Sequence, residues 1–237
     1  MSGKRIVAIH QPNFFPWLGY FDKMARADVF VWLDDAQFEK SGAGTWSNRV
    51  RLLVGGSPRW VTMPVRRDYH GTRRTNEMQI DERQTWREKL LKTIRLHYRK
   101  ARHFDEVFPA VAALVENRTD RLADYNRAAI ESIARWLRID VEKCVAASSL
   151  GVEARATDRL IAIVQRVGGT TYLSGGGAGG YQDETMFREA GVELIFQQFE
   201  HPVYPQGVAE FCAGLSIIDS LMHCGFDGTA ALLGSRA

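Results

Sequence analysis

The chain reads as an α/β protein: a mainly parallel, Rossmann-like sheet with a β-hairpin and a central helical insert. Three observations predict this. Short apolar runs alternate with helix-period segments at both ends of the chain, as in βαβ units. Gly55-Gly56-Ser57-Pro58 separates two β-rich runs, which is a hairpin signal. Between residues 81 and 138 the pattern turns wholly helical. We therefore expect a single α/β domain over residues 1–237, with 81–138 as a helical insert or cap.

The elements follow in order. Arg5 to Ile9 is a strand, and His10 to Trp17 a loop stiffened by Pro12 and Pro16, each of which fixes its own φ and restricts the residue before it. A helix over Leu18 to Arg26 and a strand over Val29 to Leu33 complete the first unit. A loop runs from Asp34 to Asn48, and the hairpin strands are Arg49 to Val54 and Trp60 to Val65. Arg66 to Asn76 is a polar loop. Asp81 is placed to cap a helix over Gln84 to Tyr98, whose buried stripe is Trp86, Leu90, Ile94 and Tyr98. Helices over Asp105 to Val115 and Asp120 to Leu137 precede a strand over Lys143 to Ala147. Thr157 is placed to cap a helix over Asp158 to Val167, ended by Gly168-Gly169. The rest alternates: strand Thr170 to Leu173, glycine loop Ser174 to Gly180, helix Asp183 to Ala190, strand Val192 to Phe199, loop His201 to Gly207 and helix Leu215 to Cys224.

Composition bounds the function. No apolar stretch approaches the ~20 residues that span a bilayer. The basic start, Met1 to Arg5, leads into too short an apolar run for a secretory signal. Three cysteines, Cys144, Cys212 and Cys224, suggest no disulfide framework. These features predict a cytoplasmic protein. A net charge of +3 suits a small phosphate-bearing substrate without requiring nucleic acid. The arginines and lysines between Arg66 and Arg102 read as solvated helix faces, so no nucleic-acid partner is expected. Oligomeric state is not legible.

Four unusual loops, starting near His10, Asp34, Ser174 and His201, each follow a predicted strand. Loops after parallel strands share one edge of the sheet, where ligands bind, so these four are expected to converge on a composite site. His10 beside Gln11 suits general acid–base work or anion binding. Asn13, Trp17 and Tyr20 extend that loop, and the aromatics either stack on a ring or seat the helix. Asp34-Asp35-Ala36-Gln37-Phe38-Glu39-Lys40 brings carboxylates, an amide and an amine, and strand alternation lets one of the two aspartates face the site. Lys40, Asn48 and Arg49 are donors for phosphate or carboxylate. Ser174, Gly175, Gly177 and Tyr181 belong to a glycine loop between strand and helix, an anion cradle or a plain connector. His201, Tyr204 and Gln206 repeat the His-Pro-aromatic-Gln theme of the first loop. The spacing of Cys212, His223, Cys224 and His201 matches no zinc pattern, so no metal is expected.

The run Ile9-His10-Gln11-Pro12-Asn13-Phe14-Phe15-Pro16-Trp17-Leu18-Gly19-Tyr20, the Asp34 to Lys40 segment, Trp46-Ser47-Asn48-Arg49, Tyr172-Leu173-Ser174-Gly175, and Phe199 to Tyr204 with Leu215 to Asp219 resemble the WbqC-like proteins over nearly the whole chain. The resemblance implies an association with gene clusters for surface polysaccharide and other sugar-containing products, and a role in adding an amino-acid or acyl group to an amino sugar. At the level of fold, the opening strand, loop and aromatic-x-Gly-aromatic helix start also looks like nucleotidylyltransferases and pantothenate synthetase, with Trp17 and Tyr20 where those carry histidines.

The expected function is a transferase that moves an acyl or aminoacyl group to a nucleotide-linked amino sugar. His10, Asp35 and Lys40 are its catalytic candidates: His10 as general base, Asp35 as its orienting group. Gln11, Gln37, Asn48 and Arg49 would position the donor, the 174–181 loop would hold phosphates, and His201 and Tyr204 would close the site. An adenylating or nucleotidyl-transferring enzyme is the alternative, and a non-catalytic binding or scaffold protein is a third. The cofactor is open between a nucleotide, acyl-CoA and ATP with Mg²⁺.

Overall fold

The structure, a computed structural model, describes residues 3–39, 45–176 and 184–234. Lys40, Gly177 and Tyr181 lie outside the described residues. The element order is β1 (Ile6–His10), α1 (Leu18–Arg26), β2 (Val29–Trp32), β3 (Arg49–Val54), β4 (Ser57–Thr62), α2 (Trp86–Tyr98), α3 (Phe104–Val115), α4 (Leu122–Trp136), β5 (Cys144–Ala146), α5 (Ala156–Arg166), β6 (Thr171–Ser174), α6 (Glu184–Glu189), β7 (Glu193–Phe196) and α7 (Ile217–Leu232).

Five strands form one sheet in the order β5-β2-β1-β6-β7, and every neighbouring pair is parallel. Counting only these five in chain order, the sequence is 3-2-1-4-5, the doubly wound order in which the chain reverses direction beside its first strand. Strand alternation then sorts the core. Val7, Ile9, Val29 and Val31 pack with Ile161, Val164 and Phe187 of α5 and α6. Ala8, Phe30 and Trp32 face the other way, into a larger core with α1–α4, α7 and the hairpin. The hairpin and α2–α4 all lie in the connection from β2 to β5.

Most elements fall within a few residues of their predicted places, and the departures have local causes. The hairpin turns on Gly55 and Gly56 alone, both with positive φ (60° and 76°), so β4 begins at Ser57. A two-residue turn with both φ positive follows the strand twist. Pro58 is tolerated because β4 is an edge strand. Asp81 does not cap α2. Its carboxylate accepts from the Arg83 backbone N–H and guanidinium instead, and Thr85 precedes the helix without a side-chain cap. Thr157 does not cap α5, which starts one residue earlier, after Arg155. β7 ends at Phe196 rather than Phe199. α7 runs on past Cys224 to Leu232, through a break at Gly225 (φ 72°, ψ −176°). A Cβ there would lie 2.7 Å from the His103 ring, so the break and the packed histidine both require glycine.

The loop after β1 is held from several sides. Phe14 and Phe15 are buried, and Phe15 sits at a positive φ of 40°. Ser216 Oγ donates to Phe15 O (2.7 Å), and Ile217 N donates to Pro16 O (2.8 Å). Asn126 of α4 is fully buried, and its Nδ2 donates to both Pro12 O (2.9 Å) and Ser47 O (2.7 Å). The stiffness of this loop thus comes from tertiary ties as well as from its prolines.

Candidate functional site

A cavity of about 1210 Å³ opens at the carboxyl ends of β1, β2, β6 and β7. Its walls come from all four loops: His10, Gln11, Asn13, Trp17 and Tyr20 from the first, Gln37 from the second, Ser174 and Gly175 from the third, and His201 from the fourth. It sits over the β1–β6 crevice, the switch point of a doubly wound sheet. No residue of α2–α4 lines it.

His10 is its most constrained polar group. The Gln11 carbonyl lies 3.1 Å from His10 Nδ1, and a carbonyl can only accept, so Nδ1 carries the proton and Nε2 has the lone pair. The same carbonyl accepts from Tyr20 OH (3.0 Å). Tyr20 and Trp17 meet the imidazole edge-on at centroid distances of 4.6 and 5.9 Å. Burial, and secondarily the Lys23 ammonium, push the His10 pKa down to about 3, so the ring is neutral at any physiological pH. Burial and the Arg51 charge also lower the pKa of His201. The His201 ring packs against Phe199 at 5.1 Å.

Other candidates lie outside the cavity. Asp34 accepts from Ser148 N (3.0 Å) and Oγ (2.7 Å), while Asp35 pairs with Arg159, and it is Arg159 that lines the cavity. Asn48 is buried in the turn before β3, accepting from Thr45 N and donating to Met63 O, and Arg49 stacks over Trp60 at 4.0 Å. Tyr204 and Gln206 turn away from the cavity to bond Asp219. These six side chains are engaged inside the protein, each with a partner that sequence spacing does not reveal.

Arg159, Gln197 and Lys23 are among the cavity residues that escaped the sequence reading. Gln197 Nε2 donates to Gly19 O (2.8 Å) and Asp22 Oδ2 (2.7 Å), tying the end of β7 to α1. Lys23 is 3% exposed, and its Nζ donates to Ile9 O (2.9 Å). No local signal marks it, because α1 is buried continuously from Leu18 to Met24 and shows no polar face there.

Burial lowers the Lys23 pKa from 10.5 to about 7. Between those values the unfolded chain binds more protons than the folded one, so this group's contribution to stability rises with pH, by up to about 1.4 kcal/mol per unit. Below pH 7 both states are protonated and the full burial penalty applies. The unfolding free energy of the wild type, minus that of Lys23→Met, is therefore expected to climb between pH 7 and 9 and to be flat below pH 6. Chemical denaturation at stepped pH checks this, and parallel curves would mean that Lys23 titrates as if in water.

Among the described residues no three His, Cys, Asp or Glu side chains are grouped as a metal ion requires, and no helix is long and apolar enough to cross a membrane. No solved structure matches the chain. The Mycobacterium tuberculosis protein Rv1507c, described as uncharacterized, is 30% identical over 223 residues, covering 92% of this chain and 94% of its own. The profile of the WbqC-like protein family matches residues 11–231, from the residue after His10 almost to the end of α7. The chain belongs to the WbqC-like protein family.

Proposed function

We propose that the chain is a transferase of polysaccharide or sugar-metabolite biosynthesis, moving an acyl or aminoacyl group to the amine of a nucleotide-linked amino sugar. The observation that carries this is the fixed tautomer of His10 at the mouth of the switch-point crevice, inside a cavity large enough for a substrate of that size. Family membership supports the polysaccharide context.

In this reading the amine nitrogen attacks the acyl carbon of the donor. The new N–C bond forms, the bond from that carbon to the donor's leaving group breaks, and the amine proton passes to His10 Nε2 and on to the leaving group. Trp17 forms the wall against which the sugar or base stacks, and the buried Tyr20 backs the His10 ring behind it. A second reading, nucleotidyl or adenylyl transfer with ATP and Mg²⁺, draws support from the 3-2-1-4-5 strand order, which places nucleotides over this crevice in other doubly wound proteins.

A thermal-shift panel separates the two: nucleotide-linked amino sugars, acyl-CoA, free amino acids, ATP with Mg²⁺ and a short RNA. A ligand at ~100 times its Kd stabilises by ~2.7 kcal/mol, a shift of roughly 5–11 °C for a chain of this size. A shift with a nucleotide-linked amino sugar is expected. A shift with ATP and Mg²⁺ alone would transfer support to the second reading, and no shift with any small molecule would overturn both.

A further inference from the structure

We propose that Lys23 and Ser174 form the seat for an anionic group of the substrate, a phosphate or a carboxylate, at the β1–β6 crevice. This deepens the transferase reading and rests on its premise that the cavity holds substrate.

The argument begins with charge. Buried ammonium groups are almost always paired with a carboxylate, because an unmatched charge is costly away from water. Lys23 is paired with no carboxylate among the described residues. Its Nζ donates to a neutral carbonyl, Ile9 O, and stands 5.9 Å from the centre of the Tyr172 ring. The neighbouring Asp22 is turned away, bonded to Gln197 and paired with Arg26 at 3.5 Å. The other cationic side chain among the described cavity residues, the guanidinium of Arg159, is matched by Asp35. Lys23 therefore keeps N–H donors and, in its protonated form, a positive charge that no counter-ion among the described residues matches.

A second observation is independent of the first. Across the crevice, at the end of β6, Ser174 is fully buried, and its Oγ has no hydrogen-bond partner among the described residues. A buried hydroxyl without a partner is as unusual as a buried ammonium without one. Both residues line the same cavity. The first turn of α1 opens there too: Gly19 lines the cavity, the residue before the helix makes no side-chain cap, and no acidic residue stands in that turn. The helix dipole thus adds to the same positive field. An anion bound here would give Lys23 its counter-charge and Ser174 its acceptor at once.

The seat has a consequence for His10. Burial first, and then the positive charge of Lys23, suppress protonation of the imidazole, and an anion acts on the second of these. A bound anion cancels that charge, so substrate binding itself makes His10 the stronger base. The other titratable groups of the cavity are Tyr20, Glu39, Arg159, Tyr172 and His201.

The test uses inorganic pyrophosphate and succinate as probes, titrated calorimetrically into the wild type, Lys23→Met, Lys23→Arg and Ser174→Ala. Pyrophosphate binding to the wild type is expected to fall at least tenfold in Lys23→Met and severalfold in Ser174→Ala, with partial retention in Lys23→Arg. Succinate binding in its place, with the same dependence on Lys23, would assign the seat to a carboxylate. Lys23→Met removes an unpaired buried charge, so it is expected to fold with a melting temperature no lower than the wild type. NMR titration of the His10 imidazole is expected to show its pKa rising on anion binding in the wild type but not in Lys23→Met. Equal affinity of wild type and Lys23→Met for both probes, or no binding to either protein, overturns the seat. The two proposals fail separately: a nucleotide-sugar shift unaffected by Lys23→Met removes the seat alone, whereas Lys23-dependent pyrophosphate binding without any nucleotide-sugar shift removes the transferase reading alone.

Discussion

His10→Ala is expected to lower kcat by ~10²-fold or more on the substrate pair found in the ligand panel, a loss of about 2.7 kcal/mol of transition-state stabilisation. Nε2 is the open lone pair of a ring whose other nitrogen is held by Gln11 O. Alanine removes that acceptor and leaves the loop backbone in place. The ring's packing losses are confined to edge contacts with Trp17 and Tyr20 at the cavity wall, so stability should change by only about 1 kcal/mol. KM should move little, because the base acts on a proton in flight rather than on the bound ground state. Turnover unchanged in this variant would remove His10 from the chemistry.

Asp219→Ala is expected to destabilise the chain by about 3–5 kcal/mol, the range for removing one partner of a buried charged network. Asp219 is completely buried at the start of α7 and accepts from Tyr98 OH (3.0 Å), Tyr204 OH (2.8 Å) and Gln206 Nε2 (3.0 Å). Burial pushes its carboxyl pKa up, and the three donors work in the opposite direction. Tyr98 OH in turn accepts from Leu53 N of the hairpin (2.9 Å), so one carboxylate ties α2, β3, α7 and the segment after His201 together. Removing it takes the acceptor from the buried Tyr98 hydroxyl and from the half-buried Tyr204 hydroxyl, while Gln206 Nε2 keeps its bond to Cys212 O. Urea denaturation measures the loss. Asp219→Asn, which keeps one acceptor oxygen, should fall between the two. A cost under about 1 kcal/mol in the alanine variant would mean that water replaces the lost oxygens.

The sheet was legible because its strands are short apolar runs with clear ends. α1 falls at Leu18–Arg26 as predicted, since Pro16 stops the loop and the helical pattern starts directly after it. The site was legible as a place, because parallel strands send their following loops to one edge. Individual side chains were less so. Tyr204 and Gln206 mimic the His10 loop in composition, yet their partner is Asp219, which no local pattern announces. Tyr98 lies 121 residues from the carboxylate it bonds. Lys23 was hidden by the opposite effect: a lysine in a short helix reads as solvent-facing, and only the packing of α1 over Ile9 and Tyr172 buries it.

Asn126 has a consequence for how this protein can be cut, grafted or diversified. The amide that joins Pro12 O to Ser47 O stands on a helix that contributes nothing to the cavity wall. Transplanting the first loop onto another parallel sheet would carry its sequence without the clamp that sets its curvature. Trimming the helical stretch to leave a minimal sheet would loosen the same loop from behind. Substitutions around Asn126 would then register in an activity screen as hits remote from any ligand, and a library confined to the cavity rim would miss them.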